Sequence, residues 1–248
     1  MKLLRTEALV LRCLDYSDSS RVVDFLTPEH GRVSALAKGG RNYRNKPRSL
    51  LDLLARGRAI LLRKEGRALD LLSDFETIDS FPGLRRRLER TWNAFALLEV
   101  LRAVSWPEAA CPEVFALALA CAGELERSAP GEAGAPLFVL VARLVALLGH
   151  APVLDRCALC GAPARGRGLL SARDGGFVCA RCGARRPGLP SFPEAARGAL
   201  ASLLQAPSGA PFPRVPPALR AALGPPLVTF LSAVLERELP VLQSRAKS

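Results

Sequence analysis

The sequence predicts an α+β protein: an N-terminal OB-fold-type β-barrel followed by an α-helical domain with an inserted zinc ribbon or knuckle. Three observations carry that expectation. Five short strand-like segments crowd the first eighty residues, the apolar period turns helical from Ser80 onward, and two Cys-x-x-Cys pairs interrupt the helical part. The expected division is a barrel over 1–80 and a helical domain over 81–248, with the knuckle at 153–187.

The strands come first. Residues 6–13 alternate, a polar turn spans 15–20, and residues 21–27 form the next strand. His30-Gly31 marks a turn, and Val33, Ala35 and Ala37 share one face of a strand over 32–37. A Gly-rich basic loop covers 38–48, and a helix remains open for 49–54. Residues 59–62 and 68–73 pair as a hairpin across Lys64-Glu65-Gly66. Five such strands suit a small closed barrel.

The helices follow. From Pro82, residues Leu84, Leu88, Trp92, Phe95 and Leu98 fall on one helical face, which predicts a core role for Trp92 and Phe95. Residues 112–126 and 136–148 repeat the pattern, each entered at a proline. A Pro/Gly/Ala-rich stretch at 206–217 leads to a last apolar helix over 227–238. The uncharged run 221–235 is broken by Gly224-Pro225-Pro226 and is shorter than the ~20 residues of a membrane span. Residues 1–13 contain Arg5, Glu7 and Arg12 and so make no secretory signal. The expectation is a cytoplasmic protein without a membrane partner.

Cys157-Ala158-Leu159-Cys160 and Cys179-Ala180-Arg181-Cys182 are two knuckles separated by eighteen residues. Each sets two thiolates on one side of a tight turn, with Gly161 and Gly183 following where the chain bends back. Facing each other, Cys157, Cys160, Cys179 and Cys182 make the tetrahedron that one structural Zn²⁺ requires; two disulfides or an iron–sulfur cluster are the alternatives. Four thiolates close the coordination sphere, leaving no place for an activated water. With one dication they carry −2, bringing the formal net charge of +12 to about +10. Arg156, Arg165, Arg167, Arg173, Arg181, Arg185 and Arg186 surround the quartet and either neutralise it or bind phosphate. Cys13, Cys111 and Cys121 lack ligand spacing and are expected as small buried residues.

The positive charge is unevenly spread. Residues 32–67 hold eleven basic side chains against Asp52 and Glu65, a local surplus of nine. An excess of that size favours a phosphate-rich partner. The expected DNA-binding face is Arg32, Lys38, Arg41, Arg44, Lys46, Arg48, Arg63, Lys64 and Arg67, with the glycines of the loop letting backbone approach phosphate and Tyr43 placed to stack on a base. Such contact is charge-driven and not base-specific. No catalytic residue is expected: the sequence has no His-Glu-x-x-His, no Gly-x-x-x-x-Gly-Lys and no Gly-x-Ser-x-Gly. Asp70, Asp74, Glu76 and Asp79 leave open a Mg²⁺-dependent nuclease, although a solvated strand edge is the plainer account. A zinc-ribbon adaptor that contacts only proteins is a third reading.

Several stretches carry a family likeness: Glu7-Ala8-Leu9-Val10-Leu11 leading to Tyr16-Ser17-Asp18-Ser19-Ser20-Arg21, then Gly31-Arg32-Val33 and Ala37-Lys38-Gly39-Gly40-Arg41. Leu148-Gly149-His150-Ala151-Pro152 runs into the first knuckle, and Leu239-Pro240-Val241-Leu242-Gln243-Ser244 lies near the end. In that order the chain resembles the bacterial recombination mediators and DNA repair proteins of the RecO family. The resemblance implies an OB-fold, a helical domain with a zinc knuckle, and binding to single- and double-stranded DNA. It further implies strand annealing, and work with RecR to load RecA, indirectly, onto DNA covered by single-strand-binding protein, whose C-terminal tail docks on the helical domain. Carried onto this chain, the DNA surface includes Lys38 and Arg41, in a nucleoid-associated cytoplasmic protein.

Overall fold

The computed structural model describes residues 2–17, 19–38, 51–64, 66, 68–207 and 209–246. The chain forms two compact units, Met1–Gly83 with Val104–Ala122, and Leu84–Ala103 with Gly123–Ser248.

In the first unit, β1 (Lys2–Asp15), β2 (Arg21–Thr27), β3 (Gly31–Ala37), β4 (Arg56–Arg63) and β5 (Asp70–Asp79) close into a barrel in the order β1-β2-β3-β5-β4. Closure depends on β1, which is long enough to serve two partners. Its first half, Lys2 to Leu9, pairs with β4, and Leu9 to Asp15 pairs with β2. A register shift between Val10 and Arg12 bends it from one to the other. The parallel pairing of β3 with β5, Ala35 opposite Asp70, completes the OB-type connection. Small and branched residues face inward: Ala8, Val10, Val23, Val33, Ala35, Ala37, Ala59 and Leu61 fill the core around Phe25 and Phe75, whose rings stack 5.6 Å apart. Gly57 leaves room for that ring, since a Cβ there would lie 2.4 Å from Phe75.

β2 and β3 begin and end within a residue of their expected limits, β1 and β4 extend beyond theirs at both ends, and β5 starts two residues later and ends six later than expected. The His30-Gly31 turn is real, and Gly31 adopts φ 62°, which a side chain resists. Residues 106–108 pack along it: Arg32 donates its amide to the Trp106 carbonyl at 3.0 Å and Glu108 donates to the His30 carbonyl at 3.1 Å. Residues 51–55 form a turn with Leu54 at φ 63°, so this part of the open helix assignment does not hold; residues 49 and 50 lie outside the described residues. Cys121 is buried as expected, whereas Cys13 and Cys111 are half-exposed.

The chain then runs through α1 (Leu88–Val104), α2 (Pro112–Arg127) and α3 (Ala135–Leu147). The knuckle region follows with β6 (Gly168–Ser171), β7 (Gly176–Cys179), α4 (Ala180–Gly183) and β8 (Ser191–Phe192). Finally come α5 (Glu194–Gln205), α6 (Pro217–Val234) and α7 (Pro240–Ala246). From Ala135 to Val145, α3 is buried on every side, including Arg143, whose guanidinium donates to the Ala210 and Pro211 carbonyls and lies over the Phe212 ring.

Two helical expectations need correction. Leu88, Trp92 and Phe95 are exposed on α1, Trp92 at 47% and Phe95 at 43%, while Ala94, Ala96, Leu97, Val100 and Leu101 are buried. Polar residues (Glu89, Arg90, Thr91, Asn93, Glu99 and Arg102) are scattered round the helix, so periodicity alone does not select the buried stripe. The last long helix is Pro217–Val234, not 227–238, and passes through Gly224-Pro225-Pro226 without a break. The prolines cost it backbone hydrogen bonds, but Leu223, Leu227, Val228, Phe230 and Leu231 are all buried, and Gly224 lets Phe138 of α3 approach. α6 is long and apolar enough to cross a membrane by length and composition, and in this fold it packs on α3, α5 and α7.

Candidate metal centre and nucleic-acid face

The metal centre is built by a hairpin and two turns. β6 and β7 pair from Gly168–Cys179 to Ser171–Gly176, which fixes Cys179 at the strand end and starts α4 with Cys182 inside it. The first knuckle docks on the same hairpin: Cys157 donates its amide to Ala162, Ala158 donates to Phe177, and Gly161 closes the turn onto Cys157 at 2.9 Å with φ 71°. Gly183 has a different reason from the expected bend. It stays helical, and a Cβ there would press to 2.9 Å from Leu169, so it is small to let α4 lie on β6.

The four thiol sulfurs of Cys157, Cys160, Cys179 and Cys182 lie within 4.8 Å of one another, and Cys160 and Cys179 stand 3.9 Å apart. Zn–S bonds of ~2.3 Å in a tetrahedron put sulfurs about 3.8 Å apart, so the donor set fits one zinc ion. Electrostatics agree. Burial pushes the Cys157 thiol up, but the amides of Cys179, Cys160 and Leu159 donate to its sulfur and bring it down to about 6. The Ala162 amide lowers Cys160. Cys182, hydrogen-bonded to Cys160 and Cys179, is pushed up to about 12, because the protein alone does not sustain four adjacent thiolates. A dication supplies that missing charge. Among the described residues this quartet is the one group of side chains gathered as metal ligands.

The acidic residues of β5 are not so gathered. Asp70 accepts from the Arg63 guanidinium at 3.0 Å, Glu76 faces Arg58 at 3.5 Å, and the Asp79 carboxylate caps the Phe81 amide at 2.8 Å. These three carboxylates are engaged where they stand, and Asp74 is exposed on β5.

Of the expected DNA-binding residues, Arg32, Lys38, Arg63 and Lys64 are described; Arg41, Arg44, Lys46, Arg48 and Arg67 lie outside the described residues, as does Tyr43. Lys38 is exposed at the end of β3, and the Ala37–Arg21 pair sets it level with the β1–β2 turn. Lys64 is exposed at the end of β4, one residue beyond the Arg63–Lys2 pair. Arg32 is half-buried in β3. Arg63 is held by Asp70 at 3.0 Å, with Glu108 at 3.8 Å, and is not an open cation. Arg56 and Arg58 are likewise held, by Glu7 at 2.9 Å and Glu76 at 3.5 Å. All four of these carboxylates come from outside residues 32–67, so the local surplus could not disclose them.

Two family models match the chain, "Recombination protein O N terminal" over residues 1–81 and "Recombination protein O C terminal" over residues 85–243. The chain belongs to the RecO family. Among its relatives, the DNA repair protein RecO of Anaeromyxobacter sp. (strain K) is 35% identical over 245 residues, covering 96% of this chain and 94% of that protein. The DNA repair protein RecO of Rhodopirellula baltica is 36% identical over 178 residues, covering 71% of this chain and 65% of that relative. That of Bacillus pumilus is 30% identical over 196 residues, covering 79% and 75%. The five-stranded OB-type barrel and the cysteine quartet thus sit in a RecO-family chain.

Proposed function

We propose that this RecO-family protein is a DNA-binding recombination mediator that anneals complementary strands and helps load a recombinase onto DNA covered by single-strand-binding protein. The observation that carries the reading is the end-to-end match to relatives named for DNA repair. In this reading residues 1–80 bind DNA, residues 81–248 form the helical domain, and one structural zinc is held by Cys157, Cys160, Cys179 and Cys182. Single- and double-stranded DNA, RecR and the tail of single-strand-binding protein are its partners, with RecA reached indirectly in the nucleoid-associated cytoplasm.

The physics needs no bond-breaking step. A positive surface lowers repulsion between two phosphate chains, so complementary strands meet more often, and counterion release supplies the affinity. The surface is Lys38 and Lys64 with Arg32, extended by Arg41, Arg44, Lys46, Arg48 and Arg67; Arg63 serves Asp70. If about five phosphates are neutralised, a salt titration on single strands gives a log–log slope of about −3.5. Lys38→Glu with Arg41→Glu weakens binding without unfolding the chain. A slope near zero would favour an adaptor that touches only proteins, and Mg²⁺-dependent cleavage lost in Asp74→Ala would favour a nuclease.

A further inference from the structure

Residues 153–187 hold seven arginines against Asp155 and Asp174, a surplus of five positive charges before any metal is counted. The two carboxylates are already occupied: Asp155 faces Arg156 at 3.3 Å, and Asp174 accepts from Arg186 at 2.8 Å with Arg173 close by. Arg181 is drawn to the Cys160 sulfur and so shields the thiolate cluster. Arg165, Arg167 and Arg185 remain; all three are exposed, and none makes an ion pair among the described residues. A zinc tetrathiolate subtracts about two charges and leaves a surplus of about three, close to the number of these open arginines.

They are held on a small rigid body. Arg197 of α5, 9% exposed at its side chain, donates to the Ala164 and Gly166 carbonyls at 3.0 Å and stacks over the Phe177 ring at 4.7 Å. That clamp fixes the backbone on which Arg165 and Arg167 stand. Arg185 follows α4, which Gly183 presses against Leu169, two residues beyond Arg167. Guanidinium forks without protein partners suit regularly spaced phosphates better than an apolar ligand.

We propose that the exposed arginines of the zinc knuckle, Arg165, Arg167 and Arg185, form a second phosphate-binding surface for single-stranded DNA, separate from the barrel face around Lys38 and Lys64. The inference rests on the mediator reading above and adds a physical route to annealing. One chain holds a strand at each surface, and tethering raises the concentration of each strand near its complement without any new chemistry.

The test uses the full, zinc-loaded chain and the variant R165A/R167A/R185A. Expected are one retained equivalent of zinc, a salt-titration slope on single strands shallower by about 2, and annealing of complementary oligonucleotides slowed at least tenfold. The variant R165K/R167K/R185K recovers most of both. If the triple alanine variant loses zinc, the single variants R165A, R167A and R185A decide the matter, each removing about 0.7 from the slope. Unchanged slope and annealing with zinc retained would overturn the proposal, and so would intact DNA binding alongside lost affinity for an acidic peptide. Should K38E/R41E weaken binding while the knuckle variant does not, this inference falls and the mediator reading stands. In the opposite result the knuckle surface stands and the barrel loses its role.

Discussion

The barrel and the knuckle are both arginine-rich, but they spend the charge differently. On the barrel, Arg12, Arg21, Arg56, Arg58 and Arg63 each meet a carboxylate of the barrel unit. On the knuckle, arginines outnumber carboxylates and several stay open. The cores differ too. The barrel buries Leu4, Val10, Val23, Phe25, Val33, Leu61, Leu72 and Phe75 together, whereas residues 153–187 bury little beyond Cys157, Leu170, Phe177 and Val178. Charge counted along a sequence is therefore not charge available in space. A segment with so small a core needs a staple, and a metal ion held by the cysteine quartet would be one.

The largest expected effect strikes the knuckle. Cys157→Ser should release the zinc and remove hydrogen-exchange protection from β6 and β7 while barrel amides keep theirs. One retained equivalent of zinc with unchanged protection would mean that the quartet is misassigned as the metal site. On the barrel, Arg63→Ala should cost about 1–3 kcal/mol in denaturant unfolding because it leaves the buried Asp70 unpaired. DNA affinity should barely move; the reverse pattern would return Arg63 to the nucleic-acid face.

A pH titration sharpens the contrast further. Hydrogen bonding from Arg186, aided by Ser171, holds Asp174 down to about 2 against an ordinary 3.8. Its folded value is depressed, so its contribution is fully present above about pH 4 and is lost as pH falls toward 2. Arg186→Ala should flatten that part of the stability curve, and an unchanged acid limb would dissociate the pair from knuckle stability. The smallest effect belongs to α1. Trp92→Ala should cost under about 1 kcal/mol, because the ring is half-exposed; a loss of about 3–5 kcal/mol would mean that it is a core residue.

What was legible in the sequence follows from the range of each signal. Alternation in β3 is local, as is the spacing of Cys157, Cys160, Cys179 and Cys182, and both led to their structures directly. The partner of Arg56 is Glu7, forty-nine residues away, and no local pattern points to it. Trp92 was misplaced because α1 offers several apolar stripes and only tertiary packing selects among them. The run through Pro225 and Pro226 ran against local propensity, which burial of Leu227, Phe230 and Leu231 overrode.

Arg197 gives the knuckle its mechanical character. With two carbonyls of the 164–166 segment on its guanidinium and Phe177 beneath it, one side chain of α5 moors the hairpin to the helix. The knuckle is thus a fixed boss and not a swinging arm. A strand gripped there pulls on α5 directly, and a transplant of the cysteine motif into another scaffold would have to carry that helix along.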